Sequence, residues 1–141
     1  MKRRSFAFGA PLVFFACTKA EDRCPTCGMK IDKASSWRAE IENANGTVVS
    51  FDTPRCAFRK WRRSKIEVKT VRVQEYYDRT WKNAEDVRFM IGGDVVGPMG
   101  PDLVPVDPAR VTKFIQDHGA SRGLKHDEID AALLDKLDKG E

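Results

Sequence analysis

Cys24-Pro25-Thr26-Cys27-Gly28-Met29 sets two thiols and a thioether close together near the front of the chain. Two cysteines at this spacing can turn both sulfurs toward one ion, and Gly28 lets the chain bend before Met29. Thiolate and thioether are soft donors, and they select Cu(I). A thioether needs no deprotonation and forms no disulfide, which suits an oxidising compartment. Two other chemistries fit the same residues. One is thiol–disulfide exchange, which calls for a strand before the motif and a helix starting at it. Here a short tether precedes Cys24, and Gly28-Met29-Lys30 is a poor helix start. The other is structural zinc, which needs four ligands. One close pair is present, and Cys56 with His118 or His126 would have to complete it.

A further sulfur lies far along the chain. Met99 is flanked by Gly97-Pro98 and Gly100-Pro101, a stiff segment that suits neither helix nor strand but fixes where the sulfur points. We read Met99 as a ligand and Met90, in a strand pattern, as core. Cys56 stands beside Ala57 and Phe58 in a helical stretch and reads as a buried structural thiol ahead of a ligand. His118 fits equally a nitrogen ligand and a cation favoured at a helix C-terminus. His126 reads as a surface residue.

The N-terminus reads as an address. Lys2-Arg3-Arg4 precedes the apolar run Phe6 to Ala16, which is too short to span a membrane, and Arg3-Arg4-Ser5-Phe6 resembles a twin-arginine signal. Phe14-Phe15-Ala16-Cys17 resembles a bacterial lipobox that would make Cys17 the site of lipid attachment. Residues 1–16 are thus expected to be an export signal and 17–23 a tether, with the protein periplasmic and lipid-anchored to a membrane. Three of the four cysteines then remain, an odd number, so one thiol is free or a metal holds some of them. Removing residues 1–16 takes Lys2, Arg3 and Arg4 and no acid, so the formal charge falls from +4 to about +1. Near-neutrality gives no reason to expect nucleic-acid binding. The basic run Arg59 to Arg63 reads as the solvated end of a helix. Neither paired acids nor a nucleophile elbow nor a phosphate loop is evident, so no enzyme is expected.

The elements that must position these residues alternate. Trp37–Glu42 has strand period, Asn43-Ala44-Asn45-Gly46 makes a hairpin turn, and Thr47–Phe51 returns. Asp52 should cap a helix opened by Pro54, with Ala57, Phe58 and Trp61 on its apolar face. Ile66–Tyr77 is a strand that changes face near Thr70, which predicts a bulge. Val87–Ile91 and Leu103–Val106 are further strands. Asp107-Pro108 starts a helix with Val111, Phe114 and Ile115 buried, ending at Gly119 in a left-handed cap. A last helix should run from Asp127 to Lys136, with Ile129, Leu133 and Leu137 on one face. The two Asp-Pro helix starts, each after strands, suggest an internal repeat. The expected fold is α+β: two related strand–strand–helix–strand halves, 24–78 and 79–141, the second with a C-terminal helix.

Five segments together resemble the NosL family. They are Cys24-x-x-Cys27-Gly28-Met29, Tyr77-Asp78-Arg79, Trp81-x-Asn83-Ala84, Gly97-Pro98-Met99-Gly100-x-Asp102-Leu103-x-Pro105 and Phe114-x-x-x-His118-Gly119. The resemblance runs from Cys24 to Ile129. It implies two related halves and a lipoprotein copper chaperone that binds Cu(I) through sulfur. It also implies partners: a copper-receiving enzyme such as nitrous oxide reductase and a membrane transporter complex. The metal residues it implies are Cys24, Cys27, Met29 and Met99, to which the helix-end His118 is added.

Overall fold

The computed structural model describes residues 22–65 and 67–141. The expected export signal, Cys17 and most of the expected tether lie outside the described residues, as does Ile66. Strand β1 (Ala39–Asn43) pairs antiparallel with β2 (Val48–Phe51). The Asn-Gly turn joins them, with Gly46 at φ +83° and its amide donating to the Asn43 carbonyl. Helix α1 (Pro54–Arg63) follows, then β3 (Val68–Gln74), which lies on the other side of β1. Glu42 faces Thr70 while Asn43 faces Val68, so Lys69 is the extra residue of a bulge. That bulge moves Val71 and Val73 onto the buried face.

The second half repeats the plan. Strand β5 (Arg88–Ile91) lies between β6 (Val104–Val106) and β7 (Arg122–Leu124), with α2 (Val111–His118) connecting β6 to β7. The strand orders β2-β1-β3 and β6-β5-β7 therefore match, with the helix at the same point of each. This is the α+β duplication expected from the repeat. Strand β4 (Trp81–Asn83) adds to β3 at the edge of the first sheet. Helix α3 (Ala131–Asp138) closes the chain.

The halves share a core. Phe58 of α1 meets Phe89 of β5 edge-on at 5.0 Å, among Phe51, Val73, Leu103 and Ile129. A second cluster gathers Met90, Val104, Val106 and Phe114. Glu75 pins the junction. Its buried carboxylate accepts from the amides of Tyr77, Asp78 and Asp107 and from Arg110. Both oxygens of this buried side chain are so engaged, as burial of a polar group requires.

Four local expectations are corrected. Thr53, not Asp52, caps α1, its hydroxyl oxygen accepting from the Cys56 amide. Ile115 is exposed, and a turn of 3-10 helix at Pro108–Arg110 precedes α2 and rotates its buried stripe to Phe114. The last helix begins at Ala131, where Asp130 accepts from the Leu133 amide; Leu134 and Leu137 are its buried residues. The basic run is not solvated throughout. Arg59 is buried against Asp135 and Asp138 of α3, and Arg62 donates to the carbonyls of Ile129 and His126 while covering Trp61. These arginines bind α1 to the C-terminal segment. Among the described residues no helix is long and apolar enough to cross a membrane.

Candidate metal centre

The Cys24–Met29 segment folds into a tight knuckle. The Cys24 amide donates to the Met29 carbonyl, and the Gly28 amide returns to the Cys24 carbonyl at 2.8 Å. Gly28 makes the reversal at φ +76°, a conformation that L side chains resist. The flanking Arg23 and Lys30 pair as an antiparallel bridge. Thr26 then fastens the knuckle to α1, its hydroxyl donating to the Cys56 carbonyl at 2.9 Å.

That contact brings the first turn of α1 beneath the loop. Pro54 starts the helix, so Cys56 is its third residue and faces the knuckle. The Sγ atoms of Cys24, Cys27 and Cys56 all lie within 4.8 Å of one another, and all three are free thiols. Cys24 and Cys56 are buried and Cys27 is partly open. The group has a closed floor and one accessible rim.

The electrostatics are asymmetric. Cys24 is lowered from 9.0 to about 5, chiefly by the Cys56 thiol donating to it, and further by the backbone amides of Asp52, Cys27 and Thr26, against the opposing effect of burial. Cys56, the donor in that bond, is driven strongly upward. Burial, followed by the neighbouring Cys24, pushes Cys27 up. One thiolate, sitting in a nest of donors, therefore stands beside two thiols at neutral pH. Asp52 adds negative charge. Its carboxyl is buried with Oδ2 unpartnered, and it is raised by burial, by Cys24 and by Asp32. A cation among the sulfurs would relieve this crowding and release the remaining thiol protons.

A test follows from the asymmetry. The apoprotein should carry about one thiolate per chain at pH 7, protonated as pH falls through about 5. Cys56→Ala should raise that midpoint, because it removes the largest cause. Ultraviolet thiolate absorbance measures both; a first ionisation near the ordinary thiol value would contradict the arrangement. The sign for stability is that of a depressed acid. This contribution is full above pH 9 and is lost as pH falls through about 5.

The two methionines sit differently. Met29 is 42% exposed at the end of the knuckle. Met99 is partly buried and packs, as Cys27 does, against the core cluster that contains Cys24 and Cys56. Its loop is closed by reciprocal bonds between Gly97 and Gly100, with Pro98 and Met99 at the tip. Asp102 then secures that loop to α1. Its buried Oδ1 accepts from the Arg55 amide at 2.9 Å and the Leu103 amide at 2.8 Å. Arg55 immediately precedes Cys56.

His118 stands apart from the cysteine group. Its Nδ1 meets Asp94 Oδ1 at 2.9 Å, and its ring packs against Phe114 and Tyr76 at the end of α2. Thus the fold assembles Cys24 and Cys27 with Cys56, leaves Met29 exposed at the end of the knuckle and Met99 packed on the same core, and puts His118 in an aromatic cluster with Tyr76 and Phe114. The sequence alone favours a core role for Cys56, and the fold instead brings it into the sulfur group. The usable signal was the helix start: a cap at Thr53 puts residue 56 in the first turn, where side chains face the preceding loop.

Such an arrangement is a group of three soft donors on a duplicated α+β scaffold, with one accessible edge at Cys27. Residues 16–134 match the sequence model of the NosL family. The chain belongs to the NosL family. Among solved structures it is similar to the copper chaperone NosL from Shewanella denitrificans, with a TM-score of 0.65 and 22% identity over 78% of this chain and 90% of that one. At that identity the likeness establishes the fold. Comparison with curated proteins gives no match.

Proposed function

We propose that the protein is a Cu(I) metallochaperone, exported to the periplasm and held at a membrane by a lipid on Cys17, and that it passes copper on without catalysis. The observation that carries this reading is the convergence of three cysteine sulfurs within 4.8 Å, at a knuckle that ends in an exposed thioether. Soft sulfur donors in low number suit Cu(I). A site with one open edge also suits transfer by ligand exchange, in which a partner's sulfur joins the ion before a chaperone ligand leaves. A closed four-ligand site would trap its metal. The receiver is a copper enzyme such as nitrous oxide reductase, reached through a membrane transporter complex. The family membership and the copper-chaperone name of the structural relative support this direction.

Thiol–disulfide exchange is disfavoured by the geometry. The low-pKa sulfur is the one 2% exposed, whereas the accessible Cys27 is shifted upward. A nucleophile for protein disulfides requires both properties on one atom. For zinc, the described residues offer a group of three ligands where a closed site needs four.

Anaerobically prepared apoprotein should take up about one Cu(I) per chain in competition with a colorimetric chelator. A flat titration would end the copper reading. Cys17→Ser should move the protein from the membrane fraction to the soluble periplasmic fraction; persistence at the membrane would refute the lipid anchor.

A further inference from the structure

Arg55 is an unusual residue to find beside a metal-binding thiol. Its side chain is 6% exposed, yet it lies among backbone carbonyls from two distant segments. Nη1 donates to the Pro101 carbonyl at 2.8 Å and to the Leu137 carbonyl at 3.0 Å, and Nη2 donates to the Met99 carbonyl at 3.4 Å. Nε faces Asp102 Oδ2 at 3.8 Å and Asp138 Oδ1 at 3.6 Å. The Arg55 amide is meanwhile taken by Asp102 Oδ1. One residue therefore grips the Met99 tip and the stretch that follows it, and the next residue along the helix is Cys56. Gly97 seals the arrangement. A Cβ there would come within 3.1–3.2 Å of the Asp102 side chain, so any larger residue would require Asp102 to give by a few tenths of an ångström.

The guanidinium matches this task. Its planar fork presents five donors in fixed directions, so it can hold several carbonyls at once, which an ammonium on a flexible stem cannot reproduce. The internal bonds of the Met99 loop join Gly97 to Gly100 and determine the shape of the tip, not its distance from the cysteines.

We propose that Arg55, held by Asp102, is a positioning residue for copper: it sets the reach of the Met99 thioether to the three-cysteine group by locking the Gly97–Pro101 turn to the helix that carries Cys56. This rests on the copper reading above and on Met99 as a donor. Arg55 touches no ion itself. It acts through Met99, as outer partners that orient ligands do.

A double-mutant cycle tests the role. Cu(I) affinity is measured by chelator competition for wild type, Arg55→Gln, Met99→Ala and the double variant, with Arg55→Lys as a conservative second substitution. Arg55→Gln should weaken binding roughly tenfold, within the range for orienting partners. In the Met99→Ala background the same change should weaken it hardly at all, because the thioether it positions is gone. X-ray absorption should show one sulfur fewer around Cu(I) in Arg55→Gln than in wild type. Arg55→Lys, which keeps charge but not the fork, should fall with Arg55→Gln. Equal losses in both backgrounds, or an unchanged sulfur count, would overturn the positioning role and leave the copper reading standing. Failure of wild type to bind Cu(I) would overturn both. Melting curves separate these effects from folding: a purely structural Arg55 would lower Tm without changing the sulfur count.

Discussion

Replacing Cys56 by serine is expected to weaken Cu(I) binding by roughly 100-fold or more, although the residue lies in a helix core and outside the Cys-x-x-Cys pair. Serine is close to isosteric, and its hydroxyl can still donate to the Cys24 thiolate, so the packing at this 3% exposed position should survive. What changes is the donor. A hard, neutral oxygen replaces a soft sulfur that becomes thiolate when a cation arrives. Changing an outer partner of a metal ligand already costs 10–100-fold in affinity, so removal of a ligand should reach at least the upper end of that range. Chelator competition on the folded variant gives the number. Wild-type affinity in Cys56→Ser would return Cys56 to a packing role and leave the site to the knuckle and the methionines.

Asp102→Ala should produce the largest loss of stability. The carboxylate side chain is fully buried, and it is the acceptor for the amides of Arg55 and Leu103. Alanine orphans both amides and leaves the Arg55 guanidinium with the half-exposed Asp138 as its carboxylate partner. Removing one side of a buried charged pair costs about 3–5 kcal/mol. For a domain of this size that lowers Tm by on the order of 10 °C or more. Asp102→Asn keeps the acceptor oxygen and should lose less. It should also change the pH profile. Burial raises Asp102 from 3.8 to about 6, against the Thr53 hydroxyl, the Leu103 and Arg55 amides and the Arg55 charge, all of which pull it down. For an acid raised in the folded state, the stabilising contribution is complete below pH 3.8 and is lost as pH rises through about 6. Denaturant unfolding of wild type should show that decline between pH 4 and 6, and Asp102→Asn should lack it. Equal stability of the alanine variant, or an identical slope in the asparagine variant, would contradict the assigned environment.

What was legible in the sequence was the local physics. Alternation in Trp37–Glu42 and the Asn-Gly pair that follows specify a hairpin, because a register slip would turn Ile41 to solvent. The change of face near Thr70 registers as a bulge, since one extra residue is the cheapest way to exchange faces. Gly119 takes its left-handed cap at φ +68° because no side chain opposes it there. Strands β4 and β7 were not legible. Each has three residues, too few to show a period, and each is a strand only because β3 or β5 offers an edge. Arg59 and Arg62 misled for a related reason. A basic run at a helix end looks solvated until α3 is folded against it. In the site, the knuckle was legible because its donors are neighbours in sequence. Cys56 was obscured by the apolar residues beside it, and the Arg55–Asp102 connection by the separation of 47 positions between its members.

The convergence of sulfur from the knuckle and from α1 upon one ion is tested most directly by X-ray absorption of the Cu(I)-loaded protein. A first shell made of sulfur, with at least the three cysteine Sγ atoms represented, is the predicted result. A shell dominated by nitrogen or oxygen neighbours would contradict it.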